Sequence, residues 1–255
     1  AENFCAINCV LYQRKGGVWA MTERGARNLD RNAGRLRIGP SGLAWDGTQL
    51  IAQIEEVAAP LPRRLRGVIR VKPQAIQTRT FNLDESGRHR WRPIAPRARV
   101  EVEFGQPSVY WRGNAYFDSN EGDGPLADDF SAWSWSRTTG RDGTTILYDV
   151  ERRRFGQLSL ALNIDDQGNA TEITAPPEQA LPPTLWRMPR RTRADAGFSP
   201  QVIRTFEDAP FYTRSQIATR IHGVESEAIH ESLSLNRFEQ PWVQALLPFR
   251  MPRRR

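Results

Sequence analysis

Along much of this chain apolar and polar residues alternate with a period of two, in short runs broken by glycine and proline. Strand side chains point alternately to opposite faces, so this pattern predicts β-strands. The clearest are Val18 to Glu23, Arg35 to Ile38, Leu43 to Trp45, Gln49 to Ile54, Gly67 to Pro73, Arg99 to Phe104, Ser108 to Trp111, Thr144 to Val150 and Phe155 to Ile164. Gly39-Pro40-Ser41-Gly42 is a predicted turn, and Asp46-Gly47 is a hairpin signal. Helical patterning is confined to the region of Ser199 to Thr205. The spacing is that of an all-β sandwich or barrel. Ile94 to Arg97 is the predicted passage between two β units, 1–97 and 98–255, and Ala175 to Pro183 reads as a proline-rich loop.

A chain of 255 residues is long enough for one large or two modest β domains. Eight Trp, eleven Phe and five Tyr argue for packed interiors. The net charge of +7 rests almost wholly on arginine, since Lys15 and Lys72 are the only lysines. Such a balance attracts nucleic acid, an anionic membrane surface or an acidic substrate. No nucleic-acid reading motif accompanies it, so nucleic acid is the weakest of these partners. Cys5 and Cys9, four residues apart in a strand-like run, read as small buried hydrophobes and not as a zinc site. The apolar run of roughly 18 residues that a membrane-spanning helix needs is absent. Ala1 already lies inside a strand-like run, so the start reads as truncated or processed.

Candidate chemistry concentrates in two segments. In Gly113-Asn114-Ala115-Tyr116-Phe117-Asp118-Ser119-Asn120, strand alternation puts Tyr116, Asp118 and Asn120 on one face. In His89-Arg90-Trp91-Arg92-Pro93-Ile94-Ala95-Pro96 it does the same for His89 and Trp91. Together they offer an acid, a base and aromatic walls, with no metal-ligand spacing and no nucleophile motif. The alternatives are structural: Asp118 tying a loop through backbone amides, His89 as a hydrogen-bonded core or rim histidine, Trp91 as core packing. Glu23 reads as a strand ion pair with an arginine, Asp123, Asp128 and Asp129 as a solvated acidic loop, and His222 and His230 as surface residues.

Trp19-Ala20-Met21-Thr22-Glu23-Arg24-Gly25, Ile38-Gly39-Pro40-Ser41, Leu43-Ala44-Trp45-Asp46-Gly47, His89 to Pro96 and Tyr116 to Asn120 together resemble the carotenoid 1,2-hydratases of purple photosynthetic bacteria, also called hydroxyneurosporene synthases. The resemblance is strongest up to about Asp129, and members of that family carry more chain upstream. It implies two lipocalin-like β units in tandem, with a pocket at or near their interface. It also implies a lyase without cofactor or metal that adds water across the terminal C1–C2 double bond of acyclic carotenes such as neurosporene and lycopene. The family's proposed acid falls on Asp118, with supporting residues at His89, Trp91 and Tyr116.

Hydrating an isolated alkene means protonating carbon at C2 so that the C1 cation is tertiary. A solvated carboxyl group is ionised at neutral pH and cannot do this. Asp118 therefore has to be kept protonated by an apolar wall. Trp91, Tyr116 and Trp111 are candidate cation-stabilising rings, and His89 is the candidate acceptor for the proton of the incoming water. The alternatives are a non-catalytic carrier of a long apolar ligand, or an isomerase or cyclase acting on another polyene. The tail, with Trp242, Leu246, Leu247 and Phe249 beside Arg250 and Arg253 to Arg255, suggests peripheral attachment to the cytoplasmic face of the photosynthetic membrane. The oligomeric state is not legible.

Overall fold

A computed structural model describes residues 3–13, 17–141 and 143–254; these are nearly all β, with three short α-helices. Strands β1 (Asn8–Tyr12), β2 (Gly17–Met21), β3 (Glu23–Arg24), β4 (Leu29–Arg31), β5 (Arg35–Ile38) and β6 (Ser41–Trp45) come first. They lead into β7 (Leu50–Val57), β8 (Arg64–Pro73), β9 (Phe81–Asn82), β10 (His89–Gln106) and β11 (Ser108–Gly122). Helix α1 (Leu126–Asp129) precedes β12 (Phe130–Thr139), β13 (Thr144–Arg152), β14 (Gln157–Ile164) and β15 (Ala170–Glu172). Then come β16 (Glu178–Leu181), β17 (Arg190–Arg193), β18 (Gln201–Asp208), β19 (Tyr212–Ile221) and β20 (Val224–Ser234). Helices α2 (Leu235–Phe238) and α3 (Pro241–Arg250) and strand β21 (Arg253–Arg254) close the chain.

These elements form two compact units whose segments interleave along the sequence. The first takes the chain up to Pro73, Ala98–Ala115, and the chain from Ala245 on; the second takes Gln74–Arg97 and Tyr116–Gln244. Ile94 to Arg97 is thus the interior of β10, and the chain changes unit between Arg97 and Ala98.

In the first unit β4 to β8 form an antiparallel meander that continues into β10 and β11. The Asp46 carboxylate fixes the β6–β7 turn by accepting from the backbone N–H groups of Thr48 and Gln49, which sets Trp45 opposite Leu50. Alternation in β10 sends Val100, Val102 and Phe104 into a core with Val18, Ala20, Ile54 and Leu65. Glu101 and Glu103 face outward and pair with Arg70 of β8. Cys9 is buried in that core and Cys5 lies half-buried at its edge.

A buried ion pair organises this unit. Both Arg24 guanidinium nitrogens donate to Glu56, at 3.1 and 3.0 Å, and the Ser41 hydroxyl donates to the same carboxylate at 2.8 Å. Gly39 has a left-handed φ of +60°, and a Cβ there would meet the Arg24 side chain at 2.4 Å. Only glycine satisfies both conditions. The arginine of this stretch pairs with Glu56 and not with Glu23, because alternation turns Arg24 inward.

The second unit holds a seven-stranded antiparallel sheet in the order β15-β14-β13-β12-β20-β19-β18. One face carries Trp133, Trp135, Ile146, Tyr148, Val150, Leu160 and Leu162, which pack against Phe81, Leu83, Trp91 and Phe130. The other face mixes buried polar groups with two small apolar clusters, around Leu147 and Ile217, and is covered by the β16–β17 hairpin. There Arg193 binds Asp149 and the Ser159 hydroxyl, Arg190 donates to Ser215, and His230 Nε2 donates to the Arg191 carbonyl.

Several expectations change. Gln201–Asp208 is a strand, not a helix: two bulges, at Val202/Arg204 and Thr205/Glu207, break its period of two, so the alternation is hidden in the sequence. Ala175 to Pro183 contains strand β16. His230 is fully buried on the hairpin side of the sheet, where desolvation pulls its pKa down to about 4; His222 is exposed. The tail is helical, with Pro241 opening α3 where its missing N–H is harmless, and β21 pairs with β3.

Because Arg24 is 5% exposed and its partner 2%, Glu56→Gln should destabilise the chain by about 3–5 kcal/mol, the usual effect of stranding a buried charge. Urea unfolding measures this; a change below about 1 kcal/mol would show the pair to be dispensable.

Candidate functional site

Strand alternation in β10 buries His89 and Trp91 and turns Arg90 and Arg92 outward. The indole of Trp91 is fully buried, edge-on to Tyr148 at 5.3 Å and tilted against Phe81 at 5.6 Å. Its Nε1–H donates to Asp118 Oδ2 at 2.8 Å. On β11 Tyr116 and Asp118 share a face, and the Tyr116 hydroxyl donates to the same oxygen at 3.1 Å. The Tyr116 ring rests on Trp135 at 5.2 Å, with the Arg137 guanidinium 5.0 Å over its other side.

This arrangement has a definite electrostatic character. Burial raises the Asp118 pKa above the ordinary carboxyl value; the hydrogen bonds from Trp91 and Tyr116 and the charge of Arg214 oppose the rise without cancelling it. Both bonded donors are neutral, so no ion pair forces the carboxyl to ionise. Both side-chain donors sit on Oδ2, and the residue's own backbone N–H adds a further hydrogen bond to the carboxyl. Burial pushes Tyr116 well above a normal phenol and raises Tyr148 too, so both stay protonated near neutrality. The assembly is a carboxyl group of raised pKa beside aromatic rings, which suits protonation of a carbon–carbon double bond and stabilisation of the resulting cation.

His89 lies elsewhere in the network. It is 1% exposed, its ring meets Phe130 edge-on at 4.8 Å, and its Nε2 is 2.8 Å from Asp129 Oδ2. Nε2–H donates to Asp129, and a Cβ on Gly122 would come within 2.7 Å of Nδ1. The structure therefore joins Asp118, Tyr116 and Trp91, and gives His89 to Asp129. Asp129 is not a solvated loop residue: α1 turns it back onto His89 and Arg88, whereas Asp128 is exposed and Asp123 pairs with Arg90 at the surface. Trp111 is exposed, and seven residues separate it from Asp118, roughly 23 Å along a strand. It is no part of the aromatic wall.

Trp133, Trp135, Tyr148, Arg137, Arg214 and Glu231 complete this face, and the sequence reading passed over them as site residues. Trp133-Ser134-Trp135-Ser136 does carry a clear alternation signal. The others are ordinary strand residues until the sheet register aligns them. A cleft of about 180 Å³ near Asp149, Met188 and Arg191, and one of about 370 Å³ near Arg63 and Pro107, include none of the four predicted site residues. Among the described residues no three of His, Cys, Asp or Glu converge as a metal site.

The family profile described as carotenoid hydratase CrtC matches residues 1–255. The chain belongs to this carotenoid hydratase family. It is similar to the acyclic carotenoid 1,2-hydratase of Thiocapsa roseopersicina, 50% identical over 98% of this chain and 62% of the relative. The enzyme of that name from Rubrivivax gelatinosus is 45% identical over 99% of this chain and 63% of its own length. The one from Cereibacter sphaeroides is 38% identical over 99% and 90%. The chain thus spans somewhat under two thirds of the first two relatives.

Two outcomes follow from the geometry around Asp118. Trp91→Phe removes a donor to the carboxylate form, so the Asp118 titration should move to higher pH, read by carboxyl infrared or carbon NMR; an unmoved titration would mean the indole bond is immaterial. The sign for stability is also fixed. A carboxyl pKa raised by folding contributes stability below its unfolded pKa and loses it as pH rises through the folded value. Asp118→Asn should therefore melt no lower than the parent at pH 8, and a clear drop there would show that Asp118 is held ionised.

Proposed function

We propose that this chain acts as an acyclic carotenoid 1,2-hydratase, adding water across the terminal C1–C2 double bond of carotenes such as neurosporene and lycopene. The observation that carries the reading is the Asp118 carboxyl, its pKa raised by burial and its side-chain hydrogen bonds coming from the neutral donors Trp91 and Tyr116. Family membership and the similarity to hydratases from three purple bacteria support it independently.

The chemistry runs as follows. The Asp118 carboxyl protonates C2; the π pair forms the new C–H bond and leaves a tertiary cation at C1. Trp91, Tyr116, Trp135 and Tyr148 present π-faces or ring edges to this region, and each cation–π contact contributes roughly 0.5–2 kcal/mol. Water adds at C1 and gives up a proton, and Asp118 regains one, so the cycle closes with one water consumed. The residues that carry it belong to this chain alone, with no cofactor assigned. As part of the same reading each unit is taken as lipocalin-like, which its antiparallel meanders support.

A carotene is confined to a membrane, and we place the protein peripherally on the cytoplasmic face of the photosynthetic membrane. Among the described residues no helix is long and apolar enough to cross a bilayer. Trp242, Leu246 and Phe249 form an exposed stripe at i, i+4 and i+7 on α3. Trp186 stacks on Trp242 at 6.1 Å, and beside it Leu185 is 96% exposed. Arg237 donates to the Trp186 and Arg187 carbonyls and so holds this loop in shape. Amphipathic rings of this kind settle at the bilayer interface, and the adjacent arginines suit an anionic leaflet.

Lycopene presented in liposomes without added cofactor should gain one water, detected by mass spectrometry. Asp118→Asn should lower the rate by at least about 100-fold, and His89→Ala should lower it less, since His89 acts through Asp129 and the β10 backbone. Binding without hydration would support a carrier, and an active Asp118→Asn would remove the mechanism. For the membrane, substituting Leu185, Trp242 and Phe249 by serine should reduce flotation with anionic liposomes. Equal flotation would place the contact elsewhere.

A further inference from the structure

Once His89 is committed to Asp129, the water that adds at C1 has no base on β10 or β11. The register of the seven-stranded sheet supplies one. A single row runs Leu160, Tyr148, Trp135, Glu231, Arg214, Glu207 across β14, β13, β12, β20, β19 and β18. Residues paired across strands project to the same side. The row is apolar and aromatic through Trp135 and charged from Glu231 on. Asp118 lies at the change, since Trp91 stands on Tyr148 and Tyr116 on Trp135. When ionised, its charge is felt at both Tyr148 and Glu231.

Glu231 is half-buried and bonded to Arg214 at 2.9 Å, with a further hydrogen bond from Tyr212. Asp118 takes only neutral donors. Two nearby carboxyl groups facing one arginine do not ionise equally. Burial raises the pKa of both carboxyls, but Glu231 has a direct ion pair with Arg214 and Asp118 has none, so the negative charge falls more readily on Glu231 and the proton on Asp118.

We propose that Glu231, positioned by Arg214, seats the water that attacks C1 and accepts its proton. The proposal rests on the hydratase reading. Asp118 gives its proton to C2 and becomes a carboxylate; the water oxygen bonds to C1; Glu231 takes the proton from the resulting oxonium. The proton returns to Asp118 through solvent. Burial raises the Glu231 pKa, Arg214 and Tyr212 pull it down, and Asp118 and Glu207 push it further up; Arg137 stands on the Tyr116 side of the acid.

The test uses the full chain with lycopene liposomes in deuterium oxide. In Glu231→Gln the acid still works but capture of the cation is slow. Hydration should fall at least about tenfold, while recovered lycopene still takes up deuterium at C2 because the cation collapses back to alkene. Asp118→Asn should lose both. Wild-type hydration by Glu231→Gln overturns the proposal, and so does loss of deuterium uptake along with hydration at an unchanged melting temperature. Should Glu231→Gln fail to fold, Arg214→Gln serves. Without its counter-charge Glu231 ionises at higher pH, so the rising limb of the hydration profile should move up, and an unmoved limb overturns the assignment. A parent protein that yields neither product nor deuterium uptake defeats the hydratase reading itself and this proposal with it.

Discussion

One carboxyl group held away from water among aromatic rings is the constraint on which the rest of the second unit depends. Desolvation by itself makes an ionised carboxylate expensive, and a protein normally answers with an arginine in direct contact. Around Asp118 the direct partners are an indole N–H and a phenol O–H, both neutral. These satisfy one oxygen without demanding a charge. For that to hold, Trp91 must be pinned on Tyr148 and Phe81, and Tyr116 on Trp135, so the packing of β12 and β13 is a condition of the acid's protonation and not a background to it.

The contrast with the other buried acids makes the point. Glu56 meets both nitrogens of Arg24 and the Ser41 hydroxyl; Asp149 meets Arg193 and Ser159. Each is matched by formal charge and by hydrogen bonds, as structural ion pairs are. Much of the arginine that makes this chain basic is spent in this way. Arg237 donates to the carbonyls of Trp186, Arg187 and Pro210, and Arg190 to the carbonyl of Pro182. A guanidinium with five donors suits such sites better than an ammonium group.

The His89–Asp129 pair has a similar logic. A histidine at the start of a long strand is buried beside Phe130 and held by an aspartate from α1, and its backbone N–H is bound by Asp84. These bonds fix where β10 begins and hence where Trp91 stands. His89 is thus tied to Asp129 and Asp84 two residues along the strand from Trp91, the indole that bonds the acid.

The sequence by itself determined the fold class, because a period of two survives in any strand with one buried face, and it determined which faces of β10 and β11 carry Trp91, Tyr116 and Asp118. It also carried the glycine turn at Gly39, though not its cause: Arg24, fifteen residues away, occupies the space. The bulged strand β18 escaped it, since an extra residue shifts the alternation. So did the role of Asp129, which looks like its acidic neighbours until α1 folds it onto His89. What only the tertiary structure decided is which residues from different strands meet. Local alternation fixes a side chain's face but not its cross-strand neighbour; that follows from register, which is set by turns and packing far away in the chain. Trp135, Tyr148, Glu231 and Arg214 become one row beside Asp118 only when β12, β13, β19 and β20 are laid together.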